Sequence, residues 1–219
     1  MVVLLFLDTD DRQFFSGDAR AAVREVCDAT EAEVRALLPS LTETIELAVQ
    51  TGTFVIPETG EVGMAAAPGR VNWTVDPSRP GGVVATVRSQ LRFTLFHELH
   101  HLVRGRVMNG GQPLTSFMDG VVSEGLATAF ERDCGGRQPP WGDYPEEVRT
   151  WVQELLILPL SAPYYQWMFQ HPDGRRWIGY RAGTYVADRA IAASGRSAAE
   201  LVLTPTDEIL KIAGVADSM

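Results

Sequence analysis

Short apolar segments dominate the amino-terminal part of the chain. Residues 2–7 (VVLLFL) form an apolar run that ends in DTDD, which predicts a buried strand. Between residues 43 and 87, short β-rich segments are separated by glycine and proline, so we expect a sheet of several strands there. We expect VNWTV (71–75) to be its edge strand, to which an extended peptide could add through backbone hydrogen bonds.

Apolar residues with helical spacing predict one helix before the β-rich region and several helices after residue 87. The early helix is expected over residues 18–38, with Asp18 as its N-cap and Pro39 ending it. Ser116 and Asp119 have the spacing of a capping box at the start of a later helix. The predicted later helices span about 88–104, 117–133, 145–158, 177–194 and 205–213.

The segment TLFHELHHLVRG (94–105) carries the chemistry, since it holds three of the four histidines of the chain. His97 and His101 form an HExxH motif, and on a helix they lie about 40° apart on one face. The side of this predicted helix opposite the two histidines is apolar. Two neutral imidazoles on one helical face can bind the same Zn²⁺ ion. His100 falls off this axis, and we expect it beside the ligands or on the surface.

A catalytic zinc needs a third protein ligand, and a glutamate on a following helix can supply it. The metzincin pattern would need glycine at 104 and histidine at 107, where this chain has Arg104 and Val107. Glu124 is the candidate, with Glu131 in reserve. The predicted helical neighbours of Glu124 include Gly120 and Thr128, small enough for a second helix to approach.

Glu98, beside the first ligand, is the candidate general base for hydrolysis by a metal-activated water. The developing oxyanion needs one further donor besides the zinc. Candidates lie between residues 169 and 185. We prefer Tyr180, with His171 second, and the same segment holds Arg181 and Tyr185.

Composition narrows the function classes. The net charge of −9 argues against a nucleic-acid partner, which would need a basic patch. No segment approaches the ~20 apolar residues that span a bilayer, and no signal peptide is evident, so we expect a cytoplasmic protein. Cys27 and Cys134 are expected to be buried free thiols, with a disulfide bridge between them as the lesser alternative.

The same motifs resemble the YjaZ-like family of predicted zinc-dependent proteases. The similarity rests on four blocks in the carboxyl-terminal two-thirds of the chain, and the pair HExxH…EG is its most specific part. It implies a gluzincin-type site with His97, His101 and Glu124 as ligands and Glu98 as base, and it favours Tyr180. The blocks are HELHHLVRG (97–105), VVSEGLATAFERDCG (121–135), WIGYRAGTYVADRAI (177–191) and TPTDEILKIAG (204–214).

Together these features predict an α+β, zincin-like fold with a small mixed sheet followed by a mainly helical part. We expect a single metallopeptidase domain over residues 1–219, mainly β with one helix over 1–87 and mainly α over 88–219, where the metal site lies. It would bind one Zn²⁺ per chain and hydrolyse a peptide or protein substrate. The alternatives are a catalytically silent zinc-containing regulatory or peptide-binding module and a metal-free binding protein.

Overall fold

The computed structural model describes residues 1–7 and 14–215. The chain divides into two compact units, Met1–Gln112 and Pro113–Met219. The elements of the first unit are β1 (Val2–Leu7), α1 (Gly17–Leu37), β2 (Ile45–Thr51), β3 (Glu61–Ala67), β4 (Arg70–Val75), α2 (Gly82–Thr86), a π-helical turn (Val87–Leu91) and α3 (Arg92–Arg104). Those of the second unit are α4 (Phe117–Gly135), α5 (Val148–Leu156), α6 (Tyr164–Met168), α7 (Ile178–Ser194) and α8 (Thr206–Ile212).

The α+β class is confirmed, because the named strands all precede residue 76 and the named elements after residue 112 are helices. The sheet has four strands in the order β1-β2-β4-β3. β2 pairs in parallel with β1 and β4, whereas β3 runs antiparallel to β4, so the sheet is mixed as expected. The single domain over residues 1–219 stays a prediction.

The position predicted for VNWTV was wrong. It lies in β4, which pairs on both sides, and the edge on that side is β3. Val71, Trp73 and Val75 are each 0% exposed, so the alternate side chains of β4 are fully buried. Strand order is set by pairing between segments distant in sequence, and the local pattern of VNWTV could not reveal it.

Other segments of the first unit cover both ends of the outer edge of β3. The backbone N–H of Ile56 donates to the carbonyl of Glu61 (3.0 Å), and that of Met108 donates to the carbonyl of Ala65 (2.9 Å). Glu61, Gly63 and Ala65 alternate along the strand and therefore direct their backbone groups to the same side. Gly63 is the outward-facing residue between the two covered positions.

The helix limits agree with the predicted ones to within three residues, except at the start of α3. That helix begins at residue 92 instead of 88, because the π-helical turn occupies Val87–Leu91. The short helices α2 and α6 were not expected. Asp18 is not the N-cap of α1. Ser16 occupies that position, and its hydroxyl accepts a hydrogen bond from the Ala19 N–H. The hydroxyl of Ser89, within the π-helical turn, donates to the Ala85 carbonyl (2.8 Å), which is one way a side chain perturbs regular helix bonding.

Two glycines allow the backbones of α4 and α7 to approach each other closely in the second unit. A Cβ on Gly125 would lie 2.0 Å from the carbonyl carbon of Gly183, and one on Gly183 would lie 2.1 Å from the carbonyl oxygen of Val121. Gly120, which we expected to admit a second helix, instead contacts the ring of Tyr164 in α6. The backbone contact at Gly125 fixes the helix that carries Glu124.

We predict that Gly125→Ala or Gly183→Ala lowers the free energy of unfolding by about 2 kcal/mol or more, even though alanine favours a helix. Each new methyl group would meet backbone atoms that no side-chain rotation can move. Gly17→Ala is the matched control, because a Cβ there meets nothing within 4 Å. Urea denaturation measures all three variants, and equal stability of the Gly17 and Gly183 variants would contradict the contact.

Candidate metal centre

Five polar residues in the carboxyl-terminal part of α3 are buried. His97 and His101 are 6% exposed, Glu98 is 8% exposed and Arg104 is 7% exposed. His100 is 0% exposed, which rules out the surface position we allowed for it. The helix ends at Gly105, whose left-handed backbone (φ 73°) lets its N–H donate to the carbonyls of His101 and Leu102.

His97 and His101 lie one helical turn apart and form a pair. Their ring centroids are 4.8 Å apart and the ring planes meet at 73°. The rings are therefore close without being stacked, and their edges can be directed at a common point. This is the arrangement that the HExxH spacing predicted for two imidazole ligands.

The potential ligand atoms of His97, His101 and Glu124 all lie within 4.8 Å of one another. Four-coordinate zinc with bonds of ~2.0–2.2 Å places its ligand atoms roughly 3.4 Å apart. Three such donor atoms grouped within this distance form a candidate site for one ion. Two imidazoles and a carboxylate are also a donor set typical of catalytic zinc.

Glu98 is held by the edge strand of the sheet. Its Oε2 accepts a hydrogen bond of 2.7 Å from the backbone N–H of Ala65 in β3. Gly63 makes this approach possible, because a Cβ there would lie 2.9 Å from Cγ of Glu98 and 2.3 Å from Cγ2 of Thr94. The Ala65 amide satisfies a buried carboxylate oxygen that would otherwise be costly to remove from water.

A second buried carboxylate, Glu61, supports the same helix from β3. One of its oxygens accepts hydrogen bonds from the Trp73 indole N–H (2.7 Å) and from the Thr94 hydroxyl (2.8 Å). Thr94 is one helical turn before Glu98, so two polar contacts and one close packing contact fix this face of α3 against the strand.

Glu124 lies on α4 and is partly exposed. Glu131, the reserve ligand, is buried at 3% exposure but does not belong to the group of three.

The predicted capping box at Ser116 and Asp119 is present. Burial raises the pKa of Asp119, but hydrogen bonds, among them those from the N–H groups of Thr115 and Ser116, outweigh this effect and bring it to about 2. The beginning of α4 is thus well anchored.

Tyr180 lies within an aromatic cluster of the second unit. Its ring centroid is 5.5 Å from that of Trp177, 5.6 Å from Phe169 and 6.0 Å from Trp141. Trp177 precedes α7 and adopts a left-handed backbone conformation (φ 59°), which is uncommon for a bulky residue. The cluster gives Tyr180 a defined position, while its catalytic role stays a prediction.

His171 lies in a surface turn rather than in a helix. Its Nδ1 is 2.8 Å from Oδ1 of Asp173, and its ring centroid is 4.5 Å from the ring of Trp167. These contacts account for the histidine structurally, so it is a weaker candidate than Tyr180 for a role in catalysis.

Tyr164 is a residue that the sequence did not single out. A Cβ on Gly120 would lie 3.1 Å from the Tyr164 hydroxyl. Gly120 is one helical turn before Glu124, and helical side chains lean towards the preceding turn. The Tyr164 hydroxyl therefore lies against α4 one turn before Glu124. In the sequence, only Gly120 indicated that another segment packs against α4 at this point. The local sequence of α6 could not show where it packs, because this helix has only five residues.

Both cysteines are free, so the alternative of a disulfide bridge was wrong. Cys27 is buried as expected, and burial raises the pKa of its thiol to about 12. Cys134 is only partly buried, and burial again raises the pKa of its thiol. Neither thiol has the lowered pKa of a reactive cysteine.

A family model described as "Predicted Zn-dependent protease (DUF2268)" matches residues 17–211 of the chain. No curated protein and no solved structure gives a match. Within residues 1–7 and 14–215, no helix has the length and apolar character required to cross a membrane.

We predict that Gly63→Ala destabilises the first unit by about 1–3 kcal/mol, because the added methyl group overlaps Thr94 and the stem of Glu98. Met64→Ala is the matched control on the same strand, since Met64 is 39% exposed and its loss should cost much less. Chemical denaturation compares the two. A Gly63→Ala protein as stable as the wild type would mean that β3 does not pack against Glu98 in this way.

Proposed function

Since the chain belongs to this family of predicted Zn-dependent proteases, we propose that it is a zinc metallopeptidase that hydrolyses peptide bonds with Glu98 as general base. The observation that carries the proposal is the convergence of His97, His101 and Glu124, whose ligand atoms lie within 4.8 Å of one another. The family match alone supports only a zinc-dependent protease in the general sense.

In this proposal His97, His101 and Glu124 hold one zinc ion per chain. Both histidines are neutral, so that each ring offers a lone pair, and the carboxylate offers one oxygen. Three protein ligands leave a coordination position open, as in catalytic rather than structural zinc sites. Bound zinc would lower the pKa of a water molecule and polarise the substrate carbonyl.

Glu98 follows the first ligand directly in sequence, which supports its role as the proton acceptor. Its Oε2 is engaged by the Ala65 amide, which fixes the carboxylate and leaves Oε1 to accept a proton from the attacking water. The same carboxyl group then passes the proton to the leaving amine. Because a strand amide holds the base, small shifts of β3 should affect catalysis.

The substrate is a peptide or protein, as the family description suggests. Binding of an extended peptide along the sheet would have to use β3 and not β4. On the outer edge of β3, the carbonyl of Glu61 already accepts a hydrogen bond from Ile56, and the carbonyl of Ala65 accepts one from Met108. Between these two positions, the outward backbone groups of Gly63 remain for such a peptide. We therefore propose that side-chain contacts, more than strand addition, select the substrate.

We propose Tyr180, in preference to His171, as the residue that donates a hydrogen bond to the oxyanion. The aromatic rings around Tyr180 would fix the position of its hydroxyl, whereas Nδ1 of His171 already contacts Oδ1 of Asp173. A preorganised donor is worth more than a mobile one, because it need not reorient during the reaction.

We expect Glu124→Ala to lose stoichiometric zinc while the fold remains. Removing a ligand should weaken binding by more than the roughly 10–100-fold that loss of an outer-shell partner costs. Metal analysis after gel filtration, together with circular dichroism, measures both properties. Glu208→Ala, an exposed glutamate on α8, is the control and should retain the metal. Full zinc content in the Glu124 variant would remove Glu124 from the ligand set.

We expect Glu98→Gln to keep its zinc and to lose peptide hydrolysis by about 10²–10⁴-fold, because the amide cannot accept the proton. Hydrolysis of a mixed peptide library followed by mass spectrometry provides the assay, and metal analysis provides the internal control. If the wild type binds zinc but cleaves no peptide, and the variant is indistinguishable from it, the silent regulatory or peptide-binding module is the better description.

A further inference from the structure

A cavity of about 330 Å³ in the second unit is lined by two arginines and, among the residues that the structure describes, by no acidic residue. We propose that this cavity is a binding site for a small anion that carries at least two acceptor oxygens. The site requires no metal and is independent of the proposed hydrolysis. Its polar lining residues are Arg149, Thr150, Gln153, Tyr185 and Arg189.

Both guanidinium groups are held in place through their Nε atoms. Nε of Arg149, on α5, donates to the Tyr185 hydroxyl at 2.9 Å. Nε of Arg189 donates to the carbonyl of Ala213 at 2.6 Å, and its guanidinium carbon is 5.9 Å from the ring centroid of Tyr185. These bonds leave the terminal N–H groups of both side chains available, and an anchored guanidinium loses less entropy when it binds a ligand.

No carboxylate neutralises this pair among the residues that the structure describes, since neither arginine takes part in a salt bridge there. The chain has 28 acidic and only 19 basic residues, so acidic partners are plentiful. Asp188, the sequence neighbour of Arg189, is instead bound by Arg132 (2.7 Å) and by the Tyr144 hydroxyl (3.1 Å). Two positive charges therefore share one cavity, and no described residue supplies a compensating charge.

The chemistry of the lining identifies the ligand class. Guanidinium groups bind the paired oxygens of carboxylate and phosphate in a fork geometry. Thr150, Gln153 and Tyr185 add uncharged polar groups. The cavity volume is near the lower end of the ~300–1,000 Å³ typical of small-molecule sites. A small dicarboxylate or phosphate compound matches both the charge and the volume.

Isothermal titration of the full chain with succinate and, separately, with inorganic phosphate tests the site and distinguishes the two sources of acceptor oxygens. We expect saturable binding of at least one of them, at constant ionic strength set with chloride. Arg149→Gln and Arg189→Gln should each weaken it about tenfold or more, because a charge-assisted hydrogen bond is lost. Arg24→Gln, the same charge change at an exposed position on α1, should leave affinity unchanged.

Two further measurements distinguish this site from an anion bound by zinc and from misfolding of a variant. Binding should persist after treatment with a chelator, whereas an anion held by zinc would be released. Tyr185→Phe removes the acceptor that fixes Arg149 and should weaken binding even if Arg189→Gln, which also loses a bond to Ala213, fails to fold. Absence of saturable binding in the wild type, or equal affinity in the Arg149→Gln and Arg24→Gln proteins, would overturn the proposal.

Discussion

The burial of a polar stripe along α3 is the constraint on which the candidate centre depends. His97, Glu98, His101 and Arg104 are all at least nine-tenths buried, and a buried polar group is costly unless a partner compensates it. For Glu98 that partner is the amide of Ala65, which only the outward-facing side of an edge strand can offer. The order of strands in the sheet thus determines which helix can carry a buried glutamate in this position.

Backbone contacts, rather than large side chains, set the position of the third candidate ligand. Gly125 follows Glu124 directly, and its contact with Gly183 leaves no room for even one methyl group. Hydrogen bonds to Asp119 fix the first turn of the same helix. A metal ligand must be placed within a few tenths of an ångström, and close backbone packing defines position more rigidly than flexible side chains do.

Local signals in the sequence predicted most elements and singled out the candidate donor set, which stays a prediction. The HExxH spacing gave the imidazole pair, and the spacing of Ser116 and Asp119 gave the start of α4, because both depend only on helical geometry. The sequence failed where distant segments meet. The internal position of β4 depends on pairing with β2, and the contact of Tyr164 with Gly120 depends on the course of a connecting segment. For the first helix the error was local, since Ser16 and Asp18 both suit an N-cap.

Glu98 also differs from an ion-paired acid such as Glu33 in the partner that holds its carboxylate. Arg92 donates two hydrogen bonds to Glu33, and this contact lowers the pKa of Glu33. Such an ion pair makes a carboxylate a poor proton acceptor, because protonation would abolish the pair. Glu98 is held instead by an uncharged amide, which orients the carboxylate without binding it as a counter-ion. The HExxH motif specifies neither partner. The position of Glu98 arises from β3, where Gly63 provides the space and Ala65 the donor, so the sheet holds the carboxylate that we propose as general base.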